Sequence, residues 1–172
     1  MAFEEIYTLH SALVYNVALQ YVQNVEDAQE ITQDVFVTIH HKLSSFQHNS
    51  SLKTWIYRIA VNSSLDFIKA RNRQKRRFLF NALRIDDEDQ NINPAHFDHP
   101  GVALEQKEAM EQIFKAINCL PDRQKTAVIL LKIEHTSMAE AAEIMEISPK
   151  ALESLFQRAK KKLENILSNN EA

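Results

Sequence analysis

Five side chains that could bind nucleic acid follow one another at helical spacing in the first half of the chain. Steps of four, four, three and four residues place them on one face of a single helix. The cations can bind phosphates, and the amide and carboxylate groups can read base edges. Any one residue could lie on an ordinary solvated helix face, but the whole stripe followed by a basic run favours nucleic acid. The stripe consists of Arg58, Asn62, Asp66, Lys69 and Arg73.

An aromatic residue and a run of bases flank this stripe. Trp55 lies one turn before it, where the indole could stack on an unpaired base or, alternatively, belong to the core. From Lys69 to Arg77 the chain carries six bases and no acid. Such a run supplies the positive charge that contact with phosphates requires.

The second half of the chain contains two helix starts separated by a short turn. Ser137 and Glu140 have the spacing of a capping box, which predicts a short helix over residues 138–145. Ser148 followed by Pro149 provides a cap and a proline for the first position of another helix. This layout is typical of a helix-turn-helix, whose second helix enters the major groove of DNA.

The turn between these two helices is unusual for a DNA-binding motif. Ala142 is small where the helices would cross, and Leu152 is placed to pack back on the first of them. The turn position that usually carries glycine holds Glu146, and a left-handed backbone there would cost about 1 kcal/mol. From these residues alone, an ordinary helical hairpin remains an open alternative to a DNA-binding motif.

The elements that must position these residues are predicted to be helices. Gly101 is the only glycine, and strand-rich folds need more of them for turns and bulges. We therefore predict an all-α fold in which a helical domain (residues 1–80) and a second helical domain (residues 104–172) are joined by a flexible linker (residues 81–103). The linker contains an acidic cluster, Asp86 to Asp89, and has almost no periodic apolar pattern.

Apolar residues with helical periods predict which helix faces are buried. Asn24 has the position of a cap for the second helix, three residues before Asp27. Pro121 is predicted to end one helix and to occupy the first position of the next. The predicted buried stripes are Leu9, Leu13, Val17 and Tyr21; Ala28, Ile31, Val35 and Ile39; and Met110, Ile113, Ile117 and Leu120.

Composition and motifs argue against several other classes of protein. The net charge of −3 does not fit a protein that simply coats DNA, and a single cysteine, Cys119, excludes an internal disulfide framework. No apolar run approaches the ~20 residues of a membrane span, and the N-terminus lacks the basic start of a secretory signal. Phosphate-binding loops, nucleophile elbows and HExxH motifs are also missing.

These observations predict a cytoplasmic protein with no catalytic residues, no metal, no cofactor and no membrane insertion. Three linker residues, His96, Asp98 and His99, could loosely bind a metal. Solvated linker side chains explain them better, because an ordered metal site needs surrounding support that a flexible linker does not provide.

Three segments together resemble the extracytoplasmic-function group of bacterial RNA polymerase sigma factors. Residues 27–36 are similar to that family's core-polymerase-binding helix, and residues 53–62 with Asp66 are similar to its promoter-melting helix. Leu120, Pro121, Arg123, residues 142–144 and residues 148–163 resemble its C-terminal helix-turn-helix domain. The motifs occur in the family's order and cover both predicted domains.

The resemblance implies a transcription initiation factor that binds core RNA polymerase, melts the −10 element and reads the −35 element. The expected partners are the clamp helices of the largest polymerase subunit, the flap of the second-largest subunit, promoter DNA and an anti-sigma factor. The residues expected to bind the polymerase are Asp27, Glu30, Gln33, Asp34 and Phe36. Those expected at the −10 element are Phe46, Gln47, His48, Asn49, Lys53, Trp55, Arg58, Asn62, Asp66, Lys69, Arg71, Arg73, Lys75 and Arg76. Those expected at the −35 element are Ser148, Pro149, Lys150, Ser154, Gln157, Arg158 and Lys161.

The chain departs from the family at the helix-turn-helix, where Glu153 and Phe156 occupy positions that often carry cations. A stand-alone helix-turn-helix regulator is the main alternative, but it would leave the N-terminal motifs without a purpose. The acidic cluster of the linker could imitate nucleic acid inside the polymerase. We expect the free protein to adopt a compact inactive arrangement in exchange with open forms.

Overall fold

The computed structural model describes residues 3–82 and 104–170, and its side chains over residues 3–78 and 109–168. Within these ranges the chain forms seven α-helices and no strand, which confirms the predicted all-α fold. Of the predicted linker, only residues 81 and 82 are described, as the end of a helix. Its acidic cluster and its three metal-ligand candidates, His96, Asp98 and His99, lie outside the described residues, and the domain boundaries stay a prediction.

The first half is a bundle of three helices that pack against one another. These are α1 (Phe3–Val22), α2 (Val25–Lys42) and α3 (Leu52–Ala82), with a single-turn 3-10 helix, Leu43–Ser45, after α2. Asn24 caps α2 as predicted, since its side chain accepts a hydrogen bond from the Asp27 N–H at 2.8 Å. This cap satisfies one of the backbone donors left free at the start of the helix.

The core of this bundle follows the whole predicted stripe on α2 and the later part of the one on α1, where Val17 and Tyr21 are buried. Ala28, Ile31, Val35 and Ile39 are all fully buried. On α1, Leu9 is 66% exposed, so its prediction was wrong. It lies about 140° around the helix from the buried Val14, whose neighbours on the core face are Ile6, Val17 and Tyr21.

The second half contains four α-helices: α4 (Leu104–Asn118), α5 (Asp122–Val128), α6 (Met138–Ile144) and α7 (Pro149–Asn170). A π-helical turn, Ile129–Ile133, continues α5 and was not predicted. Pro121 is the N-cap of α5 rather than its first residue. Ile113 is 42% exposed, and Phe114 takes its predicted place in the core.

Helices α6 and α7 form the predicted helix-turn-helix. The Glu140 N–H donates to the Ser137 hydroxyl, and the Ser137 N–H donates to the Glu140 carboxylate at 2.9 Å, so the capping box is complete. Glu146 has φ = 53°, the left-handed conformation expected at the glycine position of the turn. Ala142 and Leu152 are buried where the two helices meet.

The two halves pack against each other around Tyr21. Its hydroxyl donates to the Thr126 hydroxyl at 2.8 Å, and its backbone carbonyl accepts a hydrogen bond from the Lys125 amine at 3.1 Å. Beside them, the Asn118 amide donates to the Gln23 side chain at 2.7 Å. The described parts of the two halves are therefore packed together, whereas the inactivity of this arrangement and its exchange with open forms stay predictions.

Lys125 makes this interface sensitive to pH. Its side chain is 5% exposed, and burial lowers the pKa of its amine to about 8, although nearby Asp122 acts in the opposite direction. In the unfolded chain a lysine titrates near ~10.4. Between these values the unfolded chain binds more protons than the folded one, so folding is favoured as pH rises.

We therefore expect the free energy of unfolding to increase between pH 8 and pH 9.5, on the order of 1 kcal/mol. The range ends at pH 9.5 because tyrosines of the unfolded chain begin to ionise above it. Burial raises the pKa of Tyr21 and Tyr57 in the folded protein, so at higher pH these tyrosines would also change the free energy of unfolding. Urea denaturation across this range would measure the change. Lys125→Met should abolish the increase, whereas Lys115→Met, on the exposed face of α4, should leave it intact. Equal slopes for wild type and Lys125→Met would contradict this explanation.

Candidate nucleic-acid and polymerase interfaces

The five residues of the predicted stripe all lie on α3, a continuous helix of 31 residues. Asn62, Asp66, Lys69 and Arg73 are exposed, whereas the side chain of Arg58 is 24% exposed. Because the helix is uninterrupted, their spacing places them along one face, as the sequence predicted. The opposite side of α3 packs into the bundle.

An aromatic cluster lies at the beginning of α3. The Phe46 ring is centred 4.9 Å from the Trp55 ring and 4.5 Å from the His48 ring. His48 has φ = 56°, and this left-handed backbone turns the loop back towards the helix. Ser51 then caps α3 by accepting a hydrogen bond from the Thr54 N–H at 3.0 Å.

This cluster brings together two segments whose residues the sequence assigned separately to the −10 element. Phe46 and Trp55 are partly exposed, so their rings are accessible from solvent. The other predicted residues of this region, Gln47, His48, Asn49 and Lys53, are all exposed. The sequence did not predict that the three rings would contact one another, because the contact depends on the conformation of the loop.

The basic end of α3 is close to α2. Arg71 forms an ion pair with Asp27, so a residue predicted to bind DNA is joined to one predicted to bind the polymerase. Arg73, Lys75 and Arg76 are exposed. The exposed cations therefore continue the stripe beyond the part of α3 that packs against the bundle.

Of the five residues predicted to bind the polymerase through α2, three are exposed, Asp27 is partly buried and Phe36 is buried. Glu30, Gln33 and Asp34 are exposed. Phe36 is 4% exposed, and its ring lies 4.7 Å from that of Tyr7 and 6.3 Å from that of Phe3. The structure corrects this assignment: Phe36 is a core residue that fixes α2 on α1, because an apolar ring gains more from burial than from an exposed position.

Helix α7 presents all seven residues predicted for the −35 element on its exposed side or at its start. The Ser148 hydroxyl accepts a hydrogen bond from the Ala151 N–H at 3.2 Å and so acts as the cap. Arg158 donates to the backbone carbonyl and the hydroxyl of Ser154 at 3.2 and 3.3 Å. The exposed residues are Ser148, Pro149, Lys150, Ser154, Gln157, Arg158 and Lys161.

Two residues of the stripe on α3 contact the second half of the chain, which sequence reasoning missed. Arg58 donates to the backbone carbonyl of Glu143 and lies 3.3 Å from the Glu146 carboxylate. The Lys69 amine lies 3.6 Å from the Asp122 carboxylate. These partners are far apart along the chain, so local periodicity contains no signal for them.

The described residues contain no group of three or more His, Cys, Asp or Glu side chains that could hold a metal ion. Within the same parts of the chain, none of the helices combines the length and the apolar composition needed to cross a membrane.

Comparison with known proteins identifies two sigma-factor regions. Residues 6–74 match the sigma-70 region 2 family, and residues 110–163 match the sigma-70 region 4 family. RNA polymerase sigma factor NccH from Alcaligenes xylosoxydans xylosoxydans is 30% identical, with 99% of this chain and 89% of NccH covered. The ECF RNA polymerase sigma-E factor of Haemophilus influenzae is 27% identical, with 95% and 86% covered.

Solved structures share the fold. The sigma factor RpoE from Bartonella quintana, solved with the anti-sigma factor NepR, has a TM-score of 0.63 at 23% identity, with 96% of each chain covered. CnrH, solved with the cytosolic domain of CnrY, has a TM-score of 0.65 at 20% identity, with 97% of this chain and 88% of CnrH covered. The sequence relatives and the two matched regions together show that the chain belongs to the extracytoplasmic-function group of RNA polymerase sigma factors and is an alternative factor for transcription initiation.

Proposed function

We propose that this sigma factor docks on core RNA polymerase through α2, opens the −10 element with the aromatic cluster and α3, and reads the −35 element with α7. The observation that carries the proposal is the exposed polar stripe of α3 beside the cluster of Phe46, His48 and Trp55. A helix face with cations, an amide and a neighbouring aromatic platform suits single-stranded DNA, because it offers both backbone binding and base stacking.

The polymerase-binding surface is the exposed face of α2. Glu30, Gln33 and Asp34 present carboxylates and an amide to solvent, and the cap at Asn24 and the buried stripe hold the helix in place. Asp27 contributes at the edge of this face while it is paired with Arg71. We assign this face to the clamp helices of the largest subunit, and the second half of the chain to the flap of the second-largest subunit.

When the −10 element melts, stacking of an unpaired base on aromatic side chains would compensate for the lost base pairing. Partly exposed Phe46 and Trp55 lie within 4.9 Å of each other, so they form a platform on which an unpaired base can stack. Stacking on an aromatic side chain is worth about 1–3 kcal/mol per base, comparable with the cost of unstacking one step. Asn62 and the cations of α3 would hold the separated strand.

The −35 element would be read by the first turns of α7. Lys150, Ser154 and Gln157 can contact base edges, while Arg158 and Lys161 can contact phosphates. Phe156, which stands where the family often has a cation, is half-buried, and the Lys132 amine lies 5.5 Å from its ring. Phe156 therefore supports α7 from beneath, and base reading depends on its exposed neighbours.

We also propose where this factor works in the cell and which kind of protein controls it. A factor that acts on polymerase and chromosomal DNA works in the cytoplasm, and the bond-forming chemistry belongs to the polymerase. Because the similar fold of Bartonella quintana RpoE is solved with an anti-sigma factor, we propose that an anti-sigma protein also controls this chain. A stand-alone helix-turn-helix regulator is less well supported, since residues 6–74 match sigma-70 region 2.

Run-off transcription tests the proposed function directly. Purified core polymerase, this protein and fragmented DNA from the same genome should yield discrete transcripts that are absent when the protein is omitted. Their start sites would also identify the −10 and −35 elements. If no transcript forms and the protein does not bind core polymerase, the residue roles proposed above are wrong.

The docking surface can be tested with the same charge reversal on α2 and on α1. Asp34→Lys should weaken binding to core polymerase at least tenfold, because it reverses a charge on the proposed contact face. Glu4→Lys provides the control, since Glu4 is exposed on α1 and lies outside the proposed contact face. Fluorescence anisotropy of labelled protein titrated with core polymerase would measure both affinities. Equal losses for the two variants would remove Asp34 from the interface.

The melting role of the aromatic cluster predicts a template-dependent defect. Trp55→Ala should lower the equilibrium yield of open complexes roughly 10- to 100-fold on duplex promoter, as expected from the loss of one stacked base. Trp55→Phe should retain most of the activity. On a promoter with a premelted −10 element, Trp55→Ala should recover, because the template no longer requires strand separation. The yield of short abortive transcripts reports open complexes on both templates, and an equal defect on both would contradict a melting role.

A further inference from the structure

Arg58, at the start of the promoter-reading stripe, is held by the helix-turn-helix. Its Nη2 and Nε groups donate to the backbone carbonyl of Glu143 at 2.7 and 3.2 Å, and its Nη1 group lies 3.3 Å from the Glu146 carboxylate. The Glu143 carbonyl is among the last of α6, where it accepts the Glu146 N–H at 3.2 Å and has a second lone pair for Arg58. Arg58 therefore acts as a side-chain cap for the end of α6.

The contact with Arg58 gives a structural role to Glu146, which stands in the turn where glycine is expected. A left-handed backbone disfavours every residue with a Cβ atom, so glycine would suit the turn better. A glycine, however, has no carboxylate to meet Arg58. The Glu146 side chain is 71% exposed, and its ion pair with Arg58 joins the turn to α3.

Two further contacts join the second half to α3, one beside the stripe and one within it. The Tyr57 hydroxyl donates to the Glu134 carboxylate at 3.1 Å, and burial raises the pKa of Glu134 even though this hydrogen bond acts to lower it. The Lys69 amine lies 3.6 Å from the Asp122 carboxylate. Together with Arg58, these residues distribute the contact along several turns of α3.

We propose that Glu146 and the Glu143 carbonyl form a latch that holds the helix-turn-helix against the Arg58 end of the promoter-reading stripe in the free protein. The latch keeps the factor closed until the two halves separate. Its role in inhibition rests on the proposed function of the stripe, whereas the closing contact itself does not.

The closed form engages the Arg58 end of this face, while Asn62, Asp66, Lys69 and Arg73 stay exposed. A cleft of about 130 Å³ between α3 and the helix-turn-helix is lined by Arg58, Asn62, Arg123 and Glu146, among others. In this closed form the Arg58 guanidinium is already engaged by the end of α6 and by Glu146, so a DNA phosphate would have to compete for it.

The strength of the latch suits a reversible device. An ion pair as exposed as that between Arg58 and Glu146 contributes little free energy, since water and salt screen it. Removing it should therefore shift the equilibrium between closed and open forms by about two- to fivefold. Loss of the whole Arg58 side chain should have a larger effect, because it also removes two hydrogen bonds to α6.

Single-molecule fluorescence energy transfer in the full chain, without DNA or polymerase, tests the latch. Dyes would be attached to cysteines at exposed positions 42 and 162 (Lys42→Cys and Lys162→Cys) in a Cys119→Ser background. Glu146→Gly should raise the open-to-closed ratio about two- to fivefold. It removes the carboxylate and relieves the left-handed backbone, so it does not weaken the helix-turn-helix fold.

Glu143→Gln is the matched control. It removes one negative charge from the same helix end but keeps the backbone carbonyl that Arg58 binds, so the ratio should stay at the wild-type value. In an Arg58→Ala background, Glu146→Gly should have no further effect. The latch is overturned if the two glutamate variants open equally, or if Glu146→Gly opens the chain with Arg58 absent. If run-off transcription failed, the proposed promoter contacts would be wrong, but the open-to-closed ratios would be unaffected.

Discussion

The arrangement of the whole molecule depends on α3, which has to be a single uninterrupted helix. Its inner side supplies Ile56, Tyr57 and Ala60 to the core, while its outer side carries the stripe from Arg58 to Arg73. A break between residues 58 and 73 would rotate one part of the stripe relative to the other and separate the cations from the aromatic cluster. The same helix receives the second half of the chain, so folding, promoter contact and closure all use one element.

Local chemistry made much of this fold predictable. Asn24, Ser137, Glu140 and Ser148 cap helices in the structure because a cap needs only residues within one turn of it. A four-residue apolar repeat is a weaker guide, since the same repeat can lie beside the buried face rather than on it. Leu9 and Ile113 were misplaced in this way, and Phe36 was assigned to a surface when its neighbours Tyr7 and Phe3 bury it.

The candidate site was predictable only as separate patches of residues. The stripe on α3 and the exposed face of α7 were found from their spacing, because each lies on one helix. The contacts between them were not, since Arg58 and Glu143 are 85 positions apart and Tyr21 and Thr126 are 105 positions apart. Such pairs depend on how the helices pack, and a sequence pattern with a period of four residues contains no information about that packing.

Competition for Arg58 between DNA and the helix-turn-helix explains these contacts most simply. In the closed form the Nε, Nη1 and Nη2 groups of the guanidinium are directed at the Glu143 carbonyl and the Glu146 carboxylate. Under the proposed roles, a DNA phosphate would compete with these two acceptors for the same side chain. Because the pair is exposed, the closed form is held by a modest free energy that binding to polymerase and DNA can exceed. A buried pair would resist opening far more strongly, since separating it would leave a charge without a partner. In the proposed latch, the exposure of Glu146 therefore keeps the closed form easy to open.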